Sequence, residues 1–437
     1  MRSLFFSAFV LAAASANAVA ASAVLDHAKL DQLNHLRVGA SMVIDRFPDG
    51  YGGQSSVRFE RIDVYAPGAR VIVVDATGEH EVPRSPRVEL IGRSASGDVR
   101  VSLGFDPGVA NLSGVGTTSS GTFVVTAEQA AGRLALRAVP LESTYPAGIV
   151  PKILDGDDGL PSGRAQPSAF EISLLGQSPD TLRGALVAVD TDNEFMSERF
   201  SNNTSAAASW IADLFTTMNV MYERDLNVTL EEGTTILRTT TDPYSANDTP
   251  ADGTDLDEFG TYWQTHYSST PRSFAMLLSG KSSSGNSASG IAWIDAYCQD
   301  QSQGGSYSVN QVFTNPQIGV GLSALIVGHE LGHNFGAWHT HCTNITNGSA
   351  PTGTNTIDQC FNESGCYSGP TSCPTSGPGE PAGTIMSYCN QLQCGPTGQN
   401  VLQFHPTQVT VLNTLIAQNT PSCLSSTTDV IFRDGFD

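Results

Sequence analysis

At 437 residues the chain is longer than one ordinary domain, so its length predicts two domains with flanking segments. Hydrophobic residues make up 40% of the sequence and charged residues 15%, which is typical of a globular protein and excludes a fibrous or largely disordered one. The 43 acidic residues against 22 Lys and Arg give a net charge of −21, which would repel a phosphate backbone and argues against nucleic acid as a partner.

The first 20 residues have the pattern of a secretory signal peptide. Arg2 precedes an apolar run from Leu4 to Ala14, and an alternation of small residues follows up to Ala20. The run is too short to span a bilayer, and no later segment has the roughly 18 continuous apolar residues that a membrane helix needs. We therefore expect a secreted protein without a membrane span, whose oligomeric state the sequence does not indicate.

Short β-forming runs separated by Gly, Ser and Pro turns fill residues 21–165 and predict a β-rich N-terminal domain. The clearest runs are Val71–Val74, Arg87–Ile91, Val99–Leu103 and Thr122–Val125. The region has no cysteine and no cluster of reactive side chains, so its sequence alone gives it no catalytic role. Turn-forming and acidic residues follow at 154–163, and residues 166–183 are predicted to be a linker.

Strands and helices alternate in residues 184–423, which predicts an α/β (α+β) domain with a mixed sheet. The predicted strands are Ala185–Val189, Asn227–Leu230, Phe274–Leu278 and Gly290–Cys298. The predicted helices are Ser205–Tyr222, Leu256–His266, Leu322–Asn334 and Pro406–Gln418. Residues 424–437 form a C-terminal tail that resembles the short tails of exported bacterial proteins.

All eight cysteines lie in the last third of the chain. They are Cys298, Cys342, Cys360, Cys366, Cys373, Cys389, Cys394 and Cys423. An even number of cysteines in an exported chain predicts four disulfides. A zinc site built from cysteines is the alternative, but the sequence lacks the paired CxxC motifs that such a site needs.

Residues 329–339 read HELGHNFGAWH. Because a helix completes a turn in 3.6 residues, His329 and His333 project from the same face and can share one metal ion. Glu330 lies next to that face and would take a proton from a water molecule at the metal. Gly336 can adopt the positive φ that ends a helix, so the chain can turn back and present His339 as a third ligand. Three histidines with one open position are typical of a catalytic Zn²⁺ site, although helical histidines can also be satisfied core residues.

The pattern HExxHxxGxxH is the zinc signature of the metzincins, and residues 383–388, GTIMSY, resemble their Met-turn. The resemblance implies that Met386 lies beneath the metal as an adaptable floor for the imidazoles. It also implies that Tyr388 binds the zinc or the oxyanion of the transition state. A buried core tyrosine is the alternative for Tyr388.

Within the metzincins the chain resembles the adamalysin (reprolysin) family, from about Gly184 to Cys423. Residues 275–280, AMLLSG, resemble a strand of that family, and residues 290–298, GIAWIDAYC, resemble its edge strand. Adamalysins have Asp after the third histidine, whereas this chain has Thr340 followed by His341. His341 is an alternative ligand. The family's calcium-binding acid would fall near Gly184, so the family's calcium site is not carried over to this chain.

The resemblance implies a metalloendopeptidase that hydrolyses peptide bonds by a zinc-activated water, with Glu330 as the general base. Because secreted proteases commonly need latency until export, it also implies that residues 21–165 are a propeptide. An extended protein or peptide substrate would add as a strand to the edge formed by Gly290, Ile291, Ala292 and Trp293. The resemblance further implies a disulfide between Cys298 and Cys423, with Cys342 as the alternative partner of Cys298.

Two other functions fit parts of the pattern. A catalytically silent binding protein on the same fold would normally have lost Glu330 or a ligand, and all of them are present here. A zinc hydrolase that does not act on peptides is weaker still, because three-histidine sites on other folds lack this spacing of helix, glycine and turn.

Overall fold

The computed structural model describes residues 23–108, 111–130, 133–147, 149, 151–153, 182–374, 383–392 and 401–426. The predicted signal peptide, the acidic segment 154–163, most of the predicted linker, Cys394 and the tail beyond Ser426 lie outside the described residues.

The described strands, in chain order, group into two sheets. They are β1 (Ala23–Leu25), β2 (Ser41–Pro48), β3 (Gln54–Ile62), β4 (Val71–Asp75), β5 (Gly78–Val82), β6 (Val88–Ser94), β7 (Arg100–Phe105), β8 (Ser113–Thr118), β9 (Gly121–Ala130), β10 (Arg133–Pro140), β11 (Lys152–Ile153), β12 (Arg183–Thr191), β13 (Val228–Arg238), β14 (Phe274–Ser279), β15 (Ser287–Ala292), β16 (Tyr307–Gln311) and β17 (Ser425–Ser426).

The first sheet is antiparallel and has the strand order β1-β10-β9-β8-β7-β6-β3-β2. One set of its side chains fills a separate core that includes Phe47, Phe59, Leu103 and Phe123. A sheet of this kind needs short runs with alternating burial, which is the pattern that predicted β structure in this region.

The second sheet is mixed, with the order β11-β15-β16-β14-β12-β13-β4-β5 and with β17 beside β12. Strands β13, β12, β14 and β16 run parallel, and β15 runs antiparallel to β16. The hairpin of β4 and β5 comes from the N-terminal region but extends this sheet by pairing with β13. Hydrogen bonds between β4 and β13 therefore join the predicted N-terminal domain to the predicted catalytic domain. The boundary between the two domains stays a prediction.

Five α-helices in the described part of the chain accompany the sheets. They are α1 (His27–Asn34), α2 (Thr204–Leu226), α3 (Gly253–His266), α4 (Val320–Asn334) and α5 (Pro406–Gln418). Helix α2 begins after Asn203, whose side chain accepts the Ala206 N–H, and it ends at Asn227 with a φ of +52°. Within the described residues, none of the helices has the length and apolar character that a bilayer span requires.

The second sheet is covered on both faces. Residues of α2 and α4 share a core with Val187 and Val189, whereas α3 packs with Ala188 from the opposite face of the same strand. Tyr222 of α2 donates its hydroxyl proton to the carbonyl oxygen of Gly328 in α4 at 2.8 Å, so the two helices are held in register.

Helix α2 also packs against the first sheet. Ile91 and Val115 of that sheet belong to the same buried core as α2. Arg87 Nε lies 3.0 Å from Asp213 Oδ1, and Arg93 pairs with Glu223 of the same helix at 2.8 Å. The N-terminal region is thus joined to the rest of the chain by a shared core and by ion pairs.

Disulfides cross-link the C-terminal half. The structure joins Cys298 to Cys423, which is the pairing that the resemblance implies, and Cys342 bonds to Cys366 instead. Cys360 pairs with Cys389. Cys373 is also disulfide-bonded, and none of the described cysteines is free.

Candidate metal and catalytic site

Helix α4 carries two of the three predicted ligands on one face. His329 and His333 are one turn apart and are both buried. Their Nε2 atoms lie 3.1 Å from each other. The four-residue spacing therefore brings the two imidazole nitrogens to one point, as helix geometry requires.

The chain turns back at Gly336 and brings the third imidazole to the same point. Helix α4 ends at Asn334, and Gly336 has a φ of +99°, a conformation that L side chains rarely adopt. A Cβ at this position would also collide with Leu415. Beyond the turn, His339 Nε2 lies 3.2 Å from His333 Nε2.

Each of the three rings donates a hydrogen bond through its Nδ1 atom, on the side away from the Nε2 atoms. The acceptors are Ile385 O for His329 at 2.8 Å, Ala337 O for His333 at 2.7 Å, and Glu363 Oε2 for His339 at 3.1 Å. An Nδ1–H donor leaves the Nε2 lone pair for a metal. Three imidazoles that converge in this way fit Zn²⁺, which binds histidine nitrogen in tetrahedral sites.

Glu330 follows His329 in α4, and its side chain lies against β15. Its side chain is buried, and it packs onto the bare backbone of Gly290. A Cβ at position 290 would come within 2.5 Å of Glu330 Oε1 and 2.6 Å of its Cδ. Only glycine at this position leaves room for the carboxylate, so β15 determines where Glu330 can lie.

The predicted Met-turn lies under the same helix. Ser387 N donates to Thr384 O at 3.0 Å to close the turn, and Met386 is fully buried. A Cβ on Gly332 would lie 2.8 Å from the Met386 sulfur, which shows how closely the turn approaches α4. The structure therefore packs Met386 against α4 at Gly332, the residue before His333, and its role beneath a metal stays a prediction.

Tyr388 lies against the imidazoles and is 7% exposed. Its ring centroid is 4.4 Å from that of His339 and 5.9 Å from that of His329. This position is compatible both with a catalytic tyrosine and with a packing role, so the predicted role of Tyr388 stays a prediction.

Sequence reasoning missed Glu363, which lies 24 residues beyond His339 in an irregular segment. Its Oε2 atom accepts a hydrogen bond from His339 and a second one from His341 Nε2 at 2.8 Å. Burial alone would raise the pKa of Glu363, but the two hydrogen bonds outweigh it and lower the pKa to about 2. No sequence spacing marks this residue, because only the fold of the loop brings it to the histidine.

His341, the alternative ligand, lies against Glu363 in the structure. The ring is fully buried, and burial lowers its pKa. Its Nε2 is directed to Glu363 and its Nδ1 has no hydrogen-bond partner among the described residues. Two groups of potential ligand atoms share His339: one adds His329 and His333, and the other adds His341, Glu363 and Cys342, whose sulfur is bonded to Cys366. The assignment of His329, His333 and His339 as the ligands stays a prediction.

Asp358 connects the third ligand to the Met-turn. Thr340, which stands where adamalysins have Asp, donates its hydroxyl proton to Asp358 Oδ2. The same oxygen accepts the Ser387 hydroxyl at 2.9 Å. Thr340 N also donates to Met386 O at 3.1 Å. The segment after His339 and the Met-turn are therefore joined both directly and through the Asp358 carboxylate.

The predicted substrate edge is shorter than the sequence suggested. Strand β15 ends at Ala292, and not at Cys298, because the chain then turns, with positive φ at Asp295 and Cys298. Asp295 N and Ala296 N donate to the last carbonyl groups of α4 at 2.9 and 3.0 Å. Among the described strands, the outer edge of β15 pairs only with β11, at Ser287 and Ala288.

Comparison with known proteins agrees with this geometry. A reprolysin-type family model, described as metallo-peptidase family M12, matches residues 181–404. No curated protein matches the chain significantly. The matched range covers just over half of the chain and contains α4, the three histidines and the Met-turn. The resemblance drawn from the sequence is confirmed, and the chain belongs to metallo-peptidase family M12 as a reprolysin-like metalloprotease.

Proposed function

We propose that this protein is a secreted, zinc-dependent endopeptidase of the metzincin type. The observation that carries the proposal is the convergence of three buried imidazole Nε2 atoms, two of them from the helix that also carries the buried carboxylate of Glu330. Membership of family M12 supports peptide bonds as the substrate class. The disulfides support an oxidising compartment outside the cytosol.

His329, His333 and His339 would hold Zn²⁺ through their Nε2 atoms. The bound ion would supply a Lewis acid that polarises the scissile carbonyl and lowers the pKa of a water molecule. Glu330 accepts a proton from the attacking water at its carboxylate and passes it to the leaving amine. The backbone of Gly290 lies against this carboxylate and limits its movement between the two proton transfers.

The substrate is proposed to bind as an extended strand beside Gly290, Ile291, Ala292 and Trp293. Gly290 and Ile291 pair with β16 on their inner side, so their strand is rigid before a peptide arrives. Backbone hydrogen bonds from a strand edge align a peptide with little demand on its sequence.

The N-terminal region is proposed to keep the enzyme latent as a propeptide. Lys152 and Ile153 run parallel to Ser287 and Ala288, directly before the proposed substrate positions. Lys152 N also donates to Asn286 O at 2.9 Å. This contact supports latency because a chain segment is already paired with the strand that a substrate would use. No cysteine precedes Cys298, so a thiolate cannot be the latency ligand.

The decisive experiment replaces the general base and leaves the ligands unchanged. Glu330→Gln should retain one zinc per chain while hydrolysis of casein falls by roughly 10²–10⁴-fold. Glu258→Gln, at a carboxylate on α3 that is hydrogen-bonded to Ser245 and Ala246, is the matched control and should retain full activity. Wild-type turnover in zinc-loaded Glu330→Gln would contradict the mechanism. A wild-type protein that binds zinc and peptides without cleaving them would support the silent binding module instead.

A further inference from the structure

The third imidazole is held differently from the first two. His329 and His333 lie within a helix and donate to neutral backbone carbonyls. His339 lies beyond the helix and donates to a carboxylate, Glu363. A carboxylate acceptor makes a stronger hydrogen bond than a carbonyl and raises the basicity of the ring that donates to it.

The position of Glu363 is set by the cross-linked loop around it. Glu363 N donates to Tyr367 O and Cys366 N donates to Glu363 O, each at 3.1 Å. Cys366 is bonded to Cys342, three residues beyond His339. The carboxylate is therefore carried by a short, closed loop whose far end is attached to the segment that bears the ligand.

His341 fixes the carboxylate from the other side. Its ring is stacked on that of His339, with centroids 5.1 Å apart and an interplanar angle of 19°. Both rings donate to the same oxygen, Glu363 Oε2, at 3.1 and 2.8 Å. Tyr367 N donates to His341 O at 3.1 Å, so the loop also binds the backbone of this residue.

We propose that Glu363 is a positioning residue for the metal site, which orients His339 through its Nδ1 atom, and that His341 holds Glu363 in place. The inference rests on the proposed function, because it assumes that the three imidazoles bind zinc. According to this proposal, Glu363, which lies outside the zinc signature, contributes to the affinity for zinc.

Zinc affinity measured by competition with a chromophoric chelator tests the proposal directly, without an activity assay. Glu363→Gln keeps the shape of the side chain but loses the charge, and zinc should bind about 10- to 100-fold more weakly. His341→Leu removes the second donor and should weaken binding in the same direction, whereas His341→Gln retains an N–H donor and should restore much of the loss. Glu258→Gln is the control that should bind zinc like the wild type.

Cobalt(II) substitution adds a spectroscopic measurement of the ligand field. The visible absorption bands of the Co²⁺-loaded protein should shift in Glu363→Gln and remain unchanged in Glu258→Gln. Thermal melting of the metal-free proteins shows whether each variant is folded, and Glu363→Ala, which also lacks the charge, replaces Glu363→Gln if the latter is not.

The outcomes separate the two levels of the proposal. Wild-type zinc affinity and an unchanged cobalt spectrum in folded Glu363 variants would overturn the role of Glu363 and leave the proposed enzyme intact. A wild-type protein that binds no zinc would overturn both. Weakened binding in Glu363→Gln and His341→Leu, with His341→Gln close to wild type, is the expected result.

Discussion

Replacement of Gly290 by alanine should disable the enzyme without touching a ligand. Gly290 belongs to β15, and its Cα faces the Glu330 carboxylate. The added methyl group would lie 2.5 Å from Glu330 Oε1, whereas ordinary van der Waals contact begins near 3.4 Å. Because β15 is hydrogen-bonded to β16 and cannot retreat freely, the Glu330 side chain has to move by about 1 Å.

The size of the effect follows from this displacement. A misplacement of about 1 Å in a catalytic group costs on the order of 10²-fold in rate, so kcat should fall about 100-fold. Overpacking should destabilise the fold by about 1–3 kcal/mol. Zinc content should not change, since Glu330 is not among the three proposed ligands.

The assay compares kcat on a quenched-fluorescent peptide with zinc content measured on the same sample. Gly253→Ala is the matched control, because Gly253 also lacks a positive φ and a Cβ there would meet nothing within 4 Å. Wild-type kcat in folded Gly290→Ala would refute the argument that Glu330 must lie where the structure places it. Joint loss of zinc and activity would show that the substitution acts through the metal site instead.

Three further predictions concern stability, metal binding and processing. Burial raises the pKa of Glu232 to about 8 from its ordinary value of 4.5. Between these two values the folded state keeps a proton that the unfolded chain releases. The free energy of unfolding should therefore fall as pH rises from about 4.5 to 8. Glu232→Gln should reduce the difference in unfolding free energy between pH 5 and pH 8 by roughly 3 kcal/mol in urea titrations, and an unchanged difference would count against a buried neutral carboxyl. His339→Ala should lose zinc during dialysis against a mild chelator, whereas full occupancy would exclude His339 as a ligand. Cleavage of the chain within residues 154–181 should raise activity. The two parts should still co-elute in size-exclusion chromatography, because Ile91 and Val115 share a core with α2. Separation of the two parts without denaturant would contradict this shared core.

Local rules were sufficient for the parts of the site that lie close together in the chain. Helix periodicity predicted that His329 and His333 share a face, and the rarity of positive φ for L residues predicted the turn at Gly336. The limits of α4 were predicted to within two residues, since the pattern of apolar residues ends where the glycine interrupts it. The resemblance supplied Met386 and Cys423, which spacing alone did not.

Contacts between distant segments were decided by the tertiary structure. Glu363 reaches His339, and Asp358 reaches Ser387, only because disulfides and turns fold an irregular segment back over the site. The pattern of Val71–Val74 predicted a strand, but not that it would pair with β13 in the second sheet.

The sequence by itself determined the family and predicted the three histidine ligands and the general base, because these depend on spacing within one helix and one turn. The tertiary structure decided which groups surround them: the bare backbone of Gly290 against Glu330, the carboxylate of Glu363 behind His339, and the pairing of Lys152 beside the substrate edge. Strand pairing and loop approach depend on packing between residues far apart in the chain, and local patterns of polarity do not specify such partners.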